Sequence, residues 1–215
     1  MQITIREPGS ALTHFIGMLL TLLCAIPLLI KAGATLNIIT IVAMVVFVLS
    51  MTFLYGASTT YHSVNTSPKA IQFFRKIDHM MIFVLIAGSY TPICLVAFNN
   101  RMGYILLIVI WSIAIVGILV KGFWITCPKW FSSAIYILMG WVCIAVFGQL
   151  YSTLSTTCFA FLLAGGIIYT LGGILYALKL RVFNSKHKYF GSHEIFHLFC
   201  MGGSMCHFLC MYYML

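Results

Sequence analysis

Charge is what this sequence most lacks. Only 7% of its 215 residues are Asp, Glu, Lys or Arg, against roughly 25% in soluble domains. Three are acidic: Glu7, Asp78 and Glu194. In a chain that is 62% hydrophobic, this excludes a soluble globular domain and identifies an integral membrane protein. The eight cysteines include no C-x-x-C pair, and seven of them fall in apolar stretches. That excludes a disulfide scaffold and reads them as small packing residues. The first apolar stretch has neither a basic n-region nor a small-residue cleavage site, so it is expected to stay in the protein rather than leave as a signal peptide. No connection between apolar stretches is long enough to fold by itself.

Apolar runs of the length needed to cross a ~30 Å hydrocarbon core recur along the chain. Seven are expected: Leu12 to Ile30, Asn37 to Tyr61, Asp78 to Phe98, Tyr104 to Val120, Ser132 to Leu150, Thr157 to Leu178 and His193 to Tyr213. The fold class is therefore all-α, a seven-transmembrane helix bundle forming a single domain over residues 1–215. Gly165, Gly166, Gly172 and Gly173 give the sixth span small residues for close helix packing. Pro27 and Pro92 are expected to kink spans one and three.

A net charge of +9 could point to nucleic acid, but the basic residues are distributed by topology. Arg6, Lys69, Arg75, Lys76, Lys121, Lys129, Lys179, Arg181, Lys186 and Lys188 fall on one side, and Lys31 and Arg101 on the other. Ten against two puts the N-terminus in the cytoplasm and the C-terminus outside, in a multi-pass cell membrane protein that binds no nucleic acid.

With that topology, His62 ends span two, Asp78 opens span three, and His193 and His197 open span seven, all at one membrane depth. Glu7, His14 and His79 are assigned to the same side, whereas His207 lies ten residues beyond His197, roughly 15 Å farther along a helix. Positions i and i+4 share a helix face, so His193 and His197 can grip one ion, and His62 offers a third nitrogen. Three histidines with an open fourth position are the pattern of catalytic zinc, although an all-imidazole shell also suits other transition ions. Neutral ligands leave the metal charge uncompensated. Asp78 is the natural carboxylate to act through the water or from outside the ligand shell. Ser58, one turn before His62, shares its face.

These residues resemble the progestin and adipoQ receptor family, whose bacterial branch is the hemolysin III family. The resemblance rests on S-x-x-x-H at Ser58 and His62, on Asp78, and on H-x-x-x-H at His193 and His197. The stretches EPGSALTHFIG, YGASTTYHS, RKIDHMMIF and GSYTP support it, and together they cover essentially the whole chain. It implies seven spans with the N-terminus inside and Zn2+ bound by His62, His193 and His197, with Asp78 and Ser58 near the metal-bound water. Ser10 departs from the asparagine expected at that point of the first motif.

Residues 193 to 197 also spell the H-E-x-x-H of zinc peptidases, but no separate motif supplies the acidic third ligand. Glu194, about 100° around the helix from His193, either reaches the water or turns toward a neighbouring span. The wider superfamily includes alkaline ceramidases, and the bacterial branch is associated with membrane-lipid homeostasis. Three functions follow. One is a zinc-dependent lipid amide hydrolase, with Asp78 taking the proton of the water and Ser58 supporting the oxyanion. Another is a non-enzymatic sensor or regulator of membrane state in which zinc pins spans two, three and seven. The third, from the family name, is a pore-forming hemolysin, which the lack of a polar stripe across the membrane does not favour. In the first two readings a membrane lipid is the substrate or ligand.

Overall fold

A computed structural model describes residues 5–178 and 190–215. Lys179, Arg181, Lys186 and Lys188, four of the ten basic residues placed on the cytoplasmic side, lie outside the described residues, as does His187 between the last two apolar runs. The helices run α1 (Pro8–Ala34), α2 (Ile38–Ser63), α3 (Pro68–Pro92), α4 (Arg101–Phe123), α5 (Lys129–Gly140), α6 (Phe147–Thr153), α7 (Thr156–Leu178) and α8 (Ser192–Met214). A π-helical turn, Ile93–Phe98, continues α3, and a 3-10 segment, Trp141–Val146, joins α5 to α6. Counted as membrane crossings these make seven spans, each long and apolar enough to cross a bilayer. Among the described residues there is no strand.

Polar residues in the connections start the helices. Asn37 caps α2 by accepting the Ile39 and Thr40 amides at 2.9 and 3.3 Å, and Asn100 caps α4 through the Gly103 amide at 3.1 Å. Such caps satisfy amides that the first helical turn leaves without partners. Ser67 and Pro68 start α3 in the same way, with proline at a position where its missing N–H costs nothing. The third span thus begins ten residues before Asp78, because its first turns carry Lys69, Arg75 and Lys76 and read as polar in a hydropathy window. Asp78 lies nearly three turns inside the helix.

The polar distribution is inverted relative to a soluble protein. Leu23, Ile30, Ile108 and Leu138 face outward, while Ser10, His14, Ser58, His62, Asp78 and His197 are buried. In lipid, polar side chains gain by turning to one another. α8 packs along α7 and α1, and α2 along α1 and α3. The glycines make the α7–α8 contact close. A Cβ on Gly172 would sit 2.7 Å from the Phe199 Cβ, and one on Gly203 would sit 2.7 Å from the Tyr169 ring.

Span five breaks for an identifiable reason. The Tyr90 hydroxyl, from α3, donates to the Gly140 carbonyl at 2.6 Å and accepts the Cys143 amide at 3.0 Å. A side chain inserted into the i to i−4 ladder interrupts a helix at that point. Pro27 is held within a continuous α1, whereas the π turn begins directly after Pro92.

Candidate metal centre

The last turn of α2 and the first turns of α8 bring His62, His193 and His197 together. One nitrogen from each ring lies within 4.8 Å of the others. His62 and His197 are 2% exposed, and the Nε2 atoms of His62 and His193 are 3.1 Å apart. Zinc–nitrogen bonds of about 2.0–2.1 Å at tetrahedral angles put ligand nitrogens roughly 3.3 Å apart. That pair of nitrogens therefore has close to the separation that a zinc ion asks for, and the all-imidazole donor set fits the metal.

Hydrogen bonds define the outward nitrogens of two rings. His62 Nδ1 donates to the Glu7 carboxylate, which leaves its Nε2 facing His193. The Thr13 hydroxyl donates to the Ser10 carbonyl at 2.9 Å. Its oxygen is then free to accept His197 Nδ1–H at 3.0 Å, which leaves His197 Nε2 as the nitrogen available to a metal. These tautomers are assigned from the network. Glu7 is further held by its own amide, which donates to the His62 carbonyl at 3.0 Å, and by Arg6 at 3.5 Å. The His62 hydrogen bond holds the Glu7 carboxyl below the usual carboxylate range, against its partial burial.

Glu194 turns toward α1. One carboxylate oxygen accepts the Ser10 hydroxyl and the other accepts the Gly191 amide at 2.8 Å, closing the first turn of α8 as a capping glutamate does. Ser10, the departure from the first motif, is therefore the partner of the glutamate that made the peptidase-like pattern. His14 stacks on His197 with ring centroids 3.5 Å apart, and neither of its buried nitrogens has a hydrogen-bond partner.

Below the imidazoles lies a cavity of about 140 Å3, lined by His193, His197, His14 and Asp78 and by apolar residues such as Leu85, Ile86 and Phe196. It reaches Trp141 and His207, where a smaller cavity of about 60 Å3 shares Ser89, Tyr90 and Gly166 with it. Asp78 is 8% exposed, and its Oδ2 lies 3.3 Å from His79 Nδ1. The same nitrogen donates to the Arg75 carbonyl at 2.9 Å.

The sequence profile of the family described as "Haemolysin-III related" matches residues 2–208. The chain belongs to the haemolysin-III related family. It is 38% identical to Hemolysin-3 of Bacillus cereus, over 95% of this chain and 90% of that one. It is 38% identical to the Hemolysin-3 homolog of Bacillus subtilis (strain 168), over 96% and 93%. An adiponectin receptor protein of Drosophila melanogaster is 24% identical over 94% of this chain and 49% of its own length. With seven candidate spans, this haemolysin-III protein is a multi-pass membrane protein, and in bacteria the membrane concerned is the cell membrane.

In this haemolysin-III fold the three predicted ligands converge and Asp78 lines the adjoining cavity. Ser58 is buried on α2 with an unpartnered Oγ and is not among the cavity-lining residues. His79 lines the cavity beside Asp78, and His207 lies at its far end. The contributions of Glu7 and Thr13 were not visible as roles in the sequence. Their signal is spacing, since Glu7, Ser10 and Thr13 follow one another every third residue at the start of α1.

Proposed function

We propose that this haemolysin-III protein is a zinc-dependent lipid amide hydrolase, with Zn2+ held by His62, His193 and His197. The observation that carries this reading is the convergence of three imidazoles, two of which, His193 and His197, line a largely apolar cavity that also includes Asp78. A lipid chain fits such a lining, and the metal end is where its polar group belongs. Lipid enters sideways between helices, on the cytoplasmic side if the ten-to-two distribution of basic residues sets the orientation.

When bound, zinc supplies Lewis acidity that polarises a carbonyl and makes water acidic near neutral pH. The remaining steps fall to the protein. The cavity wall excludes bulk water and holds the acyl chain. Asp78 takes the proton of the attacking water on the carboxylate oxygen that His79 does not engage, then delivers it to the departing amine. The buried Ser58 Oγ, having no protein partner, is the proposed hydroxyl donor to a water or ligand at the site. Incubating purified, zinc-loaded protein with a panel of ceramides and other N-acyl lipids tests the proposal. Release of free fatty acid supports it, and an unhydrolysed panel contradicts it.

A second reading is a structural metal in a membrane sensor. It is favoured by the way the site's hydrogen bonds tie α1 to both α2 and α8. The two readings differ in what they require of Asp78.

A further inference from the structure

We infer that the start of α1 is the positioning element of the metal centre, with Glu7 fixing the His62 imidazole and Thr13 fixing that of His197. The inference rests on the reading that these imidazoles hold a metal. A metal-binding histidine whose outer ring nitrogen donates to a carboxylate or other acceptor is locked in tautomer and orientation and becomes a more basic ligand. Two of the three ligand rings have such an acceptor, Glu7 from the N-cap of α1 and Thr13 from its second turn. His193 Nδ1 has none.

The placement follows from how α1 packs. It lies against α2 and α8, the helices that carry the ligands. Ser10 and Thr13 lie roughly 60° apart on the helix at 100° per residue, and Glu7 is the N-cap just before its first turn. From there Glu7 reaches α2, while Ser10 and Thr13 reach α8. Glu7 is 45% exposed, and its 3.5 Å contact with Arg6 is a long one for an ion pair and contributes little by itself. Its bond to a 2% exposed histidine is what separates it from an ordinary surface carboxylate. It also brings a negative charge beside three neutral ligands, a part that sequence reasoning gave to Asp78 alone.

The test is zinc affinity, measured by chelator competition on detergent-purified full-length protein, wild type against Glu7→Gln, Glu7→Ala and Thr13→Val. Each sample is also loaded with Co2+ for its visible d–d spectrum and melted in the metal-free state. Loss of an outer partner of this kind weakens metal binding about ten- to a hundredfold. The expected result is a loss of that size for Glu7→Ala and Thr13→Val and a smaller one for Glu7→Gln, whose amide oxygen still accepts from Nδ1. The Co2+ spectra should shift while the metal-free melting temperature stays near wild type, a combination that a merely structural role does not produce. Wild-type affinity and an unchanged Co2+ spectrum in Glu7→Ala and Thr13→Val overturn the inference while leaving the metal centre intact. A folded, zinc-supplied wild type that takes up no metal overturns both. Should the Glu7 variants fail to fold, the nearly isosteric Thr13→Val decides alone.

Discussion

The imidazole of His14 lies face to face on that of His197, with the ring planes 10° from parallel. His14 also packs against Tyr55, at a centroid distance of 5.1 Å, so α1 lays one flat ring on the face of a proposed metal ligand whose Nδ1 edge it also holds through Thr13. Stacked aromatic pairs contribute about 0.5–1.5 kcal/mol beyond their buried area. His14→Ala is therefore expected to weaken zinc binding roughly two- to tenfold. His14→Phe, which keeps a flat ring in the slot, is expected to bind nearly as wild type. Equal loss in both variants, measured by chelator competition, would show that a His14 nitrogen and not its ring face matters.

Asp78 separates the catalytic from the structural metal. If it moves the proton, Asp78→Asn keeps zinc and fold but loses about 10²- to 10⁴-fold in lipid hydrolysis, the usual range for a general base. Fatty-acid release assayed beside zinc content reads this directly. Full function with Asn at 78 supports the sensor instead.

Tyr90→Phe removes the hydroxyl that bridges the broken fifth span. Its loss leaves the Cys143 amide without its partner and the Gly140 carbonyl with only the weak Cys143 thiol at 3.7 Å, and an unsatisfied buried polar group costs about 1–3 kcal/mol. A lower melting temperature in detergent is expected. An unchanged one would mean that the ladder closes over the gap once the hydroxyl is gone.

Two glycines should respond oppositely to alanine. A Cβ at Gly103 would run into the Cys94 carbonyl and lie 2.9 Å from the Phe98 Cβ, so α4 must shift, at about 1–3 kcal/mol for overpacking. Gly33 has nothing within 4 Å, and alanine in a helix gains about 0.5–1 kcal/mol over glycine. Thermal denaturation of the two variants distinguishes them. Similar shifts would contradict the packing described here.

How far the sequence could be read depended on what each feature rests on. The spans were legible because bilayer thickness acts on local composition, and the convergence of three histidines because a helix puts His193 and His197 on one face. The helix of the third span begins ten residues before the apolar run opens at Asp78, since helices begin at caps such as Ser67 and Pro68 rather than where hydropathy rises. The break at Gly140 was not legible, because its cause, Tyr90, is remote in sequence. The same holds for the shell around the imidazoles. Glu7 and His62 are 55 positions apart, Ser10 and Glu194 are 184 apart, and only the packing of α1 against α2 and α8 brings them together. Ser10 looked like a departure from a motif, yet its hydroxyl has a definite partner.

Whether three imidazoles hold a metal is read most plainly from metal content. Plasma mass spectrometry on detergent-purified wild type and His193→Ala, prepared with zinc and without chelator and checked for folding, is the measurement. About one zinc per chain is predicted for the wild type, with loss in the variant, as three neutral histidine ligands and an open position require. A folded wild type without metal would contradict the account and leave the histidines as polar packing between α1, α2 and α8.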